Sequence, residues 1–492
     1  MNNNRSKIYL VGIFILAFIL RVIFIESRSI QYDDAFSMLL SEKGFDEIIK
    51  GTSADTMPPL YYFLLHIWQL FSSSIGWQRF LSVILNLLAI LFLYLSIKEM
   101  IGEVPALIAA GIQAVSPLMI YHAQDIRMYS LLAAGIAGYV FFFQRWERAD
   151  FGWKNHSAIL GVLLTGTISL YTHNLAIFSI LALNVYLLVK RNWKGQSRLM
   201  LMQLLIAIGF LPWMLEVPGQ LEKIQNAFWT LKPGWVEIIQ AIILTTGNLP
   251  LPNVKIGVIL VCSLFLFIVV VISLYQRRKD PGVLLFTTLA VFPPSALFIL
   301  SYAIRPVFVP RGFIFSYMAY SAIVGCAIAS IKPRFMAAVL MSMILASSIL
   351  SLPGQYSYAS FPRAPFRSMV SYLASIADDK NLILHDNKLS FFPAYVYDRT
   401  TPQKFLADAP GSSNDTLAIA TQEALALFPE TDLSRAIDGY ERVYFVVFST
   451  TISDYLELGQ AGHPALIKLD DMMREADRYQ WNDLEVHVYE RR

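Results

Sequence analysis

The stretch whose reading orients the whole chain is PPLYYFLLHIWQLF, residues Pro58 to Phe71. It is apolar, but it is short and aromatic, opens with two prolines, and is interrupted by His66 and Gln69. Eleven other apolar runs come near the ~20 residues a bilayer core requires. They lie at roughly 8–25, 79–97, 103–121, 128–144, 157–172, 175–189, 199–216, 256–275, 283–303, 313–331 and 335–351. Lys and Arg near span ends mark the cytoplasmic side when loops are short. If 58–71 does not cross, 15 of the 26 basic residues before Pro353 fall at the cytoplasmic N-terminus or in cytoplasmic loops, among them Lys98, Arg145, Arg148, Lys190, Arg191 and Arg277. If it crosses, every later loop inverts and these clusters face outward against the bias. The segment is therefore read as a half-embedded interfacial helix. The chain becomes a polytopic α-helical membrane protein of about 11 spans in the plasma (inner) membrane, with a cytoplasmic N-terminus and an external C-terminal tail.

Composition agrees. Of 492 residues, 56% are hydrophobic and 15% charged, against roughly 25% charged in an ordinary soluble protein. A soluble cytoplasmic enzyme is excluded on this ground. The net charge of +3 hides two objects: residues 1–352 hold 26 Lys and Arg against 16 Asp and Glu, and the remainder 13 against 20. The first apolar run, after Arg5 and Lys7, is too long for a signal-peptide core and lacks a small-residue cleavage site, so it reads as a retained span. Cys262 and Cys326 both lie in apolar runs, which leaves the tail without a disulfide or a cysteine-based zinc site. No Lys/Arg cluster interleaved with aromatics marks a nucleic-acid surface. In the tail, Leu382–His385, Val443–Phe448 and Leu484–Tyr489 read as strands, and Ser368–Ala377 and Gln422–Phe428 as helices. Residues 353–492 are thus expected to form a soluble extracytoplasmic α/β domain, and residues 1–352 a membrane body.

This topology leaves segments 26–78, 122–127, 217–255 and 304–312 on the external face, where ionisable groups are informative because charge near a bilayer is costly. Gln31-Tyr32-Asp33-Asp34-Ala35 follows the first span. Its carboxylates could act as a general base, bind a divalent cation with Asp125, or cap a helix starting at Ala35. Gln124-Asp125-Ile126-Arg127-Met128-Tyr129 lies at the turn between the third and fourth spans, where a salt bridge or cap is the simpler alternative. Arg305 and Arg311 occupy a short external loop that the charge bias disfavours. An anionic phosphate matches their guanidinium geometry, and an ion pair with the acidic tail is the competing account. His173 falls at the external end of the fifth span.

Taken in order, four motifs resemble the GT-C superfamily of integral-membrane glycosyltransferases, in particular the bacterial relatives of protein O-mannosyltransferases and lipid A aminoarabinose transferases. They are Tyr32-Asp33-Asp34-Ala35, Pro58-Pro59-Leu60-Tyr61-Tyr62, Gln124-Asp125-Ile126-Arg127-Met128-Tyr129 and Tyr171-Thr172-His173. Two departures stand out. Met57 occupies a position where relatives often carry His, and Asp125-Ile126 replaces the usual Glu-Ala. The resemblance implies a hexosyl- or pentosyltransferase that takes a sugar from a polyprenyl-phosphate donor and passes it to a lipid, polysaccharide or protein acceptor. It further implies Asp33 as base, Asp34 and Asp125 as supporting or acceptor-orienting groups, and Arg311, Arg127, Arg305 and His173 at the donor phosphate.

A transporter or lipid-linked sugar flippase is the alternative from another class, since eleven spans suit one. Transporters place charges near mid-membrane and show paired, interrupted helices in two related halves. Here the charges sit toward span ends and no repeat stands out. A scaffold whose tail binds other envelope proteins is a third reading, and it predicts that the four motifs can be mutated without consequence. Asn414-Asp415-Thr416 matches a glycosylation acceptor pattern.

Overall fold

The computed structural model describes residues 3–55, 57–220, 232–304, 306–357, 364–408 and 418–492. Arg305 and the Asn414-Asp415-Thr416 pattern lie outside these residues. Contacts divide the chain into two compact units. One holds the described residues of 1–25 and 56–356, the other those of 26–55 and 357–492. The sequence reading drew a single boundary at 352, with loop 26–78 in the membrane body.

The first unit is helical. Its elements begin with α1 (Asn3–Val22) and, after residues 23–59, continue with a ten-residue helix Leu60–Gln69. Then follow Ile75–Met100, Glu103–Val115, Pro117–Ala123, Tyr129–Arg148, His156–Thr172, Ala176–Val189 and Trp193–Met214. Beyond the undescribed stretch come Trp235–Ile243, Asn253–Arg277, Pro281–Ala303, Ile314–Ser330 and Arg334–Ser357. Ten of the eleven apolar runs fall mainly on one helix each, and the run 103–121 falls on two. Among the described residues six helices are long and apolar enough to cross a membrane by themselves, and a seventh crossing arises if the bent pair Glu103–Val115 and Pro117–Ala123 counts as one. The run at 103–121, read from sequence as one span, is broken by 60° where Pro117 begins a new helix and Ser116 Oγ accepts the Met119 N–H at 3.4 Å. Leu60–Gln69, at 1.5 Å per residue, covers only about 15 Å of the ~30 Å hydrocarbon core. It is clamped to the following helix by Trp68 and Trp77, whose rings stack at 4.5 Å while each indole N–H donates to the other residue's carbonyl, at 2.7 and 2.9 Å.

The break before Pro117 also accounts for a buried charge. Ending a helix strands its last carbonyls, and Arg21, fully buried near the end of α1, takes those of Gln113 and Ala114 at 2.9 and 3.0 Å. Its Nε donates to Asn86 Oδ1 at 2.9 Å. Close helix crossings use glycine: a β-carbon at Gly325 would lie 2.6 Å from the Pro105 carbonyl oxygen.

The second unit is built on a five-stranded sheet in the order β2 (Gln403–Phe405), β1 (Asn381–His385), β3 (Arg442–Phe448), β5 (Leu484–Glu490), β4 (Arg474–Trp481). β1 runs parallel to β2 and β3, and β5 antiparallel to β3 and β4. Period-two alternation distributes its apolar residues to both faces. Ile383, Tyr444 and Val446 pack with Met369 and Leu373, whereas Leu382, Leu384, Val443 and Phe445 pack with Leu433 and Leu469. The helices Phe366–Ile376 and Ile419–Leu425 lie within three residues of their expected bounds. The last apolar helix runs through Pro353, the expected start of the tail, to Ser357.

Residues 26–55 supply two helices to this second unit, α2 (Tyr32–Ser41) and α3 (Phe45–Ser53). α2 packs against the helix Lys388–Tyr397 and α3 against Ile419–Leu425.

Candidate active site

In the first unit the turn between Ala123 and Tyr129 is held from three sides. Gln124 Nε2 donates to the Arg21 and Ile23 carbonyls at 2.9 and 3.0 Å, the free C-terminal groups of α1. Gln124 thereby does for α1 what Arg21 does for the helix ending at Val115. Ser82 Oγ donates to the Asp125 carbonyl at 2.7 Å, and Asn86, one turn further along the same helix, donates to Met119 O and Ser130 Oγ at 3.3 Å each. Ser130 Oγ in turn donates to the His122 carbonyl at 2.9 Å. Three polar side chains thus fix the backbone from which Asp125, Arg127 and Tyr129 project.

On that frame an Asp125 carboxylate oxygen lies 3.1 Å from His122 Nδ1, both side chains buried. The His122 ring packs on Tyr129, 4.7 Å between centroids, and Tyr129 lies 6.2 Å from the His173 ring. Arg311, half-buried on the short 3-10 turn Pro310–Phe313, places its guanidinium carbon 5.9 Å from the Tyr129 ring centre. His173 closes the group. Burial, and after it the Arg127 and Arg311 cations, bring its pKa down to about 3, so the ring is neutral at physiological pH. Its Nδ1 accepts the Leu175 N–H at 3.1 Å, which assigns the remaining proton to Nε2. The result is the Arg311 guanidinium, a neutral imidazole donor and a buried carboxylate–histidine pair around one tyrosine, with Arg127 near enough to His173 to act on its charge.

Asp33 and Asp34 belong to the second unit. The helix they were expected to cap at Ala35 begins earlier, at Tyr32, with Gln31 as its N-cap, so both carboxylates lie in its first turn. Tyr32 is drawn into the helix by packing on Phe392, with ring centroids at 5.6 Å. Asp34 is buried and Asp33 only half-buried. Pro58 and Pro59 are buried and open the helix Leu60–Gln69, where a missing N–H costs nothing. Tyr61 and Tyr62 are buried against each other edge-to-face, 6.1 Å between centroids. Among the described residues no group of three or more His, Cys, Asp or Glu side chains could hold a metal ion. Two carboxylates carried by separate units do not fit the divalent cation weighed for Asp33 and Asp125.

Sequence reasoning missed His122, Ser82 and Asn86. The spacing of His122 three residues before Asp125 was the available signal for the first. Ser82 and Asn86 sit inside an apolar run, one helical turn apart.

Residues 56–215 match the family described as dolichyl-phosphate-mannose-protein mannosyltransferase. The match spans the Pro58-Pro59, Gln124–Tyr129 and Tyr171–His173 motifs. ArnT from Cupriavidus metallidurans in the apo state superposes with a TM-score of 0.67 at 14% identity, covering 98% of each chain. The chain shares the ArnT fold. ArnT from the same organism bound to undecaprenyl phosphate gives a TM-score of 0.64 at 13% identity, covering 99% of this chain and 98% of that one. The archaeal oligosaccharyltransferase AglB from Archaeoglobus fulgidus, in complex with an inhibitory peptide and a dolichol-phosphate, gives 0.52 at 12% identity, covering 98% and 74%. No curated protein matches the chain. Within this fold the four motifs divide between the two units: one lies in α2, and three in the helical body.

Proposed function

We propose that this protein is a glycosyltransferase that moves a sugar from a polyprenyl-phosphate carrier to an acceptor on the external face of the membrane, inverting the anomeric carbon. The observation that carries the reading is the grouping of Arg311 and neutral His173 around Tyr129, with the Arg127 cation acting on His173, in a fold shared with a protein solved with undecaprenyl phosphate. A phosphate ester leaves well only when the charge growing on it is met by fixed donors. Guanidinium groups and an Nε2–H supply them without reorganisation.

Asp33 removes the proton from the acceptor hydroxyl as that oxygen attacks the anomeric carbon. The bond from that carbon to the phosphate oxygen breaks, and its electron pair passes to the phosphate, facing Arg311 and Arg127. Asp33, the more exposed of the two adjacent carboxylates, is the one accessible to an acceptor. Asp34 supports α2 from its buried side. Asp125 acts through His122, keeping Tyr129 and its cationic neighbours in place. In this reading all eleven apolar helices cross the membrane, the N-terminus is cytoplasmic, and the sheet-containing unit is external.

The test is mass spectrometry of envelope lipids, glycans and glycoproteins from a deletion strain, in which one sugar is missing. Wild-type chain restores it and Asp33→Ala does not, at equal membrane levels. Near-normal transfer by well-folded Asp33→Ala overturns the base assignment. An unchanged envelope accompanied by substrate uptake into proteoliposomes favours a transporter instead.

A further inference from the structure

Ten-residue α2 carries Asp33 in its first turn and is joined to the rest of the chain through loops at both ends. A helix this short does not hold its own position in water. Besides α3, which packs beside it, α2 is held at both ends by residues more than 300 positions later in the sequence. Just before α2, the Ile30 N–H donates to Tyr397 Oη at 2.8 Å, and the Gln31 side chain donates to the Ala364 carbonyl at 3.0 Å. Tyr32, adjacent to Asp33, stacks on Phe392 with an interplanar angle of 26°. At the other end Glu42 receives both Arg399 guanidinium nitrogens, at 2.7 and 2.9 Å. Phe392 and Tyr397 share one helix, Lys388–Tyr397, capped by Asn387 accepting the Leu389 N–H at 2.9 Å and joined to β3 where the Asp386 N–H donates to the Val446 carbonyl at 2.9 Å.

We propose that the C-terminal domain positions the catalytic base, with Phe392 and Tyr397 gripping the start of α2 and Arg399 its end. The inference rests on the reading of Asp33 as base. A carboxylate must stand within hydrogen-bond reach of the hydroxyl it deprotonates, and a displacement of about 1 Å at a catalytic group can lower turnover about a hundredfold. Tyr397, Phe392 and Arg399 are therefore positioning residues: they touch the helix that carries the base or the residues flanking it, and their loss lowers turnover while leaving donor affinity alone.

The experiment uses the full-length chain in the deletion strain and purified in detergent. It reads restored envelope sugar per folded protein molecule, together with affinity for undecaprenyl phosphate. Tyr397→Phe removes the acceptor of the buried Ile30 N–H, and transfer is expected to fall about fivefold or more, the scale of a lost buried hydrogen bond. Glu42→Arg and Arg399→Glu each lower transfer, and the double reversal Glu42→Arg with Arg399→Glu restores it to within about twofold, as coupled partners do. Undecaprenyl phosphate affinity is unchanged throughout. Rescue by the double reversal also separates positioning from simple loss of folding. If Tyr397→Phe and both single reversals transfer at the wild-type rate while Asp33→Asn is inactive, the inference is overturned and the base assignment stands. If Asp33→Asn transfers normally, the base assignment is overturned and the inference goes with it.

Discussion

The guanidinium carbon of Arg311 lies 5.9 Å from the centre of the Tyr129 ring, so a cation carried by the turn before one helix rests on an aromatic carried by another. The contact couples the position of the charge to the turn that Gln124, Ser82 and Asn86 hold. Arg311→Ala is expected to weaken undecaprenyl phosphate binding about 10-fold or more, the worth of a charge-assisted bond to phosphate. Tyr129→Leu, which keeps the charge but removes its platform, weakens binding by a smaller factor. Titration of the purified variants with undecaprenyl phosphate checks both, and an Arg311→Ala defect confined to the acceptor contradicts the assignment.

Gly312 follows Arg311 and packs against Leu175, two residues past His173. A β-carbon at Gly312 would overlap Leu175 Cδ1. Gly312→Ala is therefore expected to push the Arg311 turn away from the His173 loop and weaken phosphate binding. Gly312→Ala combined with Leu175→Ala makes room and recovers most of the loss, as a double-mutant cycle on binding would register.

His173 and His385 both titrate near 3, each chiefly because of burial, whereas an unfolded histidine titrates at about 6.5. Between those values the unfolded chain binds protons that the folded chain does not. Stability is therefore fully present above about pH 6.5 and falls as the pH drops toward 3, by at most about 1.4 kcal/mol per pH unit for each histidine. The Tm of purified protein should decline as the pH is lowered from about 7 to 5, and His173→Gln should flatten that decline. An unchanged slope in His173→Gln would show that His173 titrates elsewhere.

Orientation is checked by cysteine labelling. In a Cys262→Ser, Cys326→Ser background, Asp477→Cys on exposed β4 is expected to react with a membrane-impermeant thiol reagent in spheroplasts. Lys194→Cys, at the start of the helix Trp193–Met214 and also exposed, is expected to react only after lysis. The reverse pattern inverts the proposed topology.

Much of the helical body was legible because spanning helices must be long and apolar, a requirement that six of the described helices meet by themselves and a bent pair meets together. The bend at Ser116 was less visible, since Pro117 stands inside a run that stays apolar on both sides. In the tail, β1, β3 and β5 announced themselves through buried Val, Leu and Phe. β4, at the sheet edge, exposes Arg474, Glu475, Asp477 and Arg478 and offered no apolar pattern to read. The motif residues around Tyr129 were found as local patterns, but their coupling through His122 and Arg21 depends on contacts between distant helices. The assignment of 26–55 to the sheet-containing unit was hidden for the same reason: Tyr32 and Phe392 are ordinary aromatics until they meet.

The pairing of Ile30 with Tyr397 spans 367 residues, and it sets a schedule for biosynthesis. At the ribosome's ~5–20 residues per second, the segment bearing Asp33 emerges roughly 20 to 70 seconds before the helix that will seat it. The helical body can insert during that interval, but the partners that grip both ends of α2 arrive only with the C-terminal domain. With Asp33 as the proposed base, a newly synthesised chain is expected to seat it last, and a molecule truncated anywhere before Tyr397 is expected to lack the proposed transfer activity.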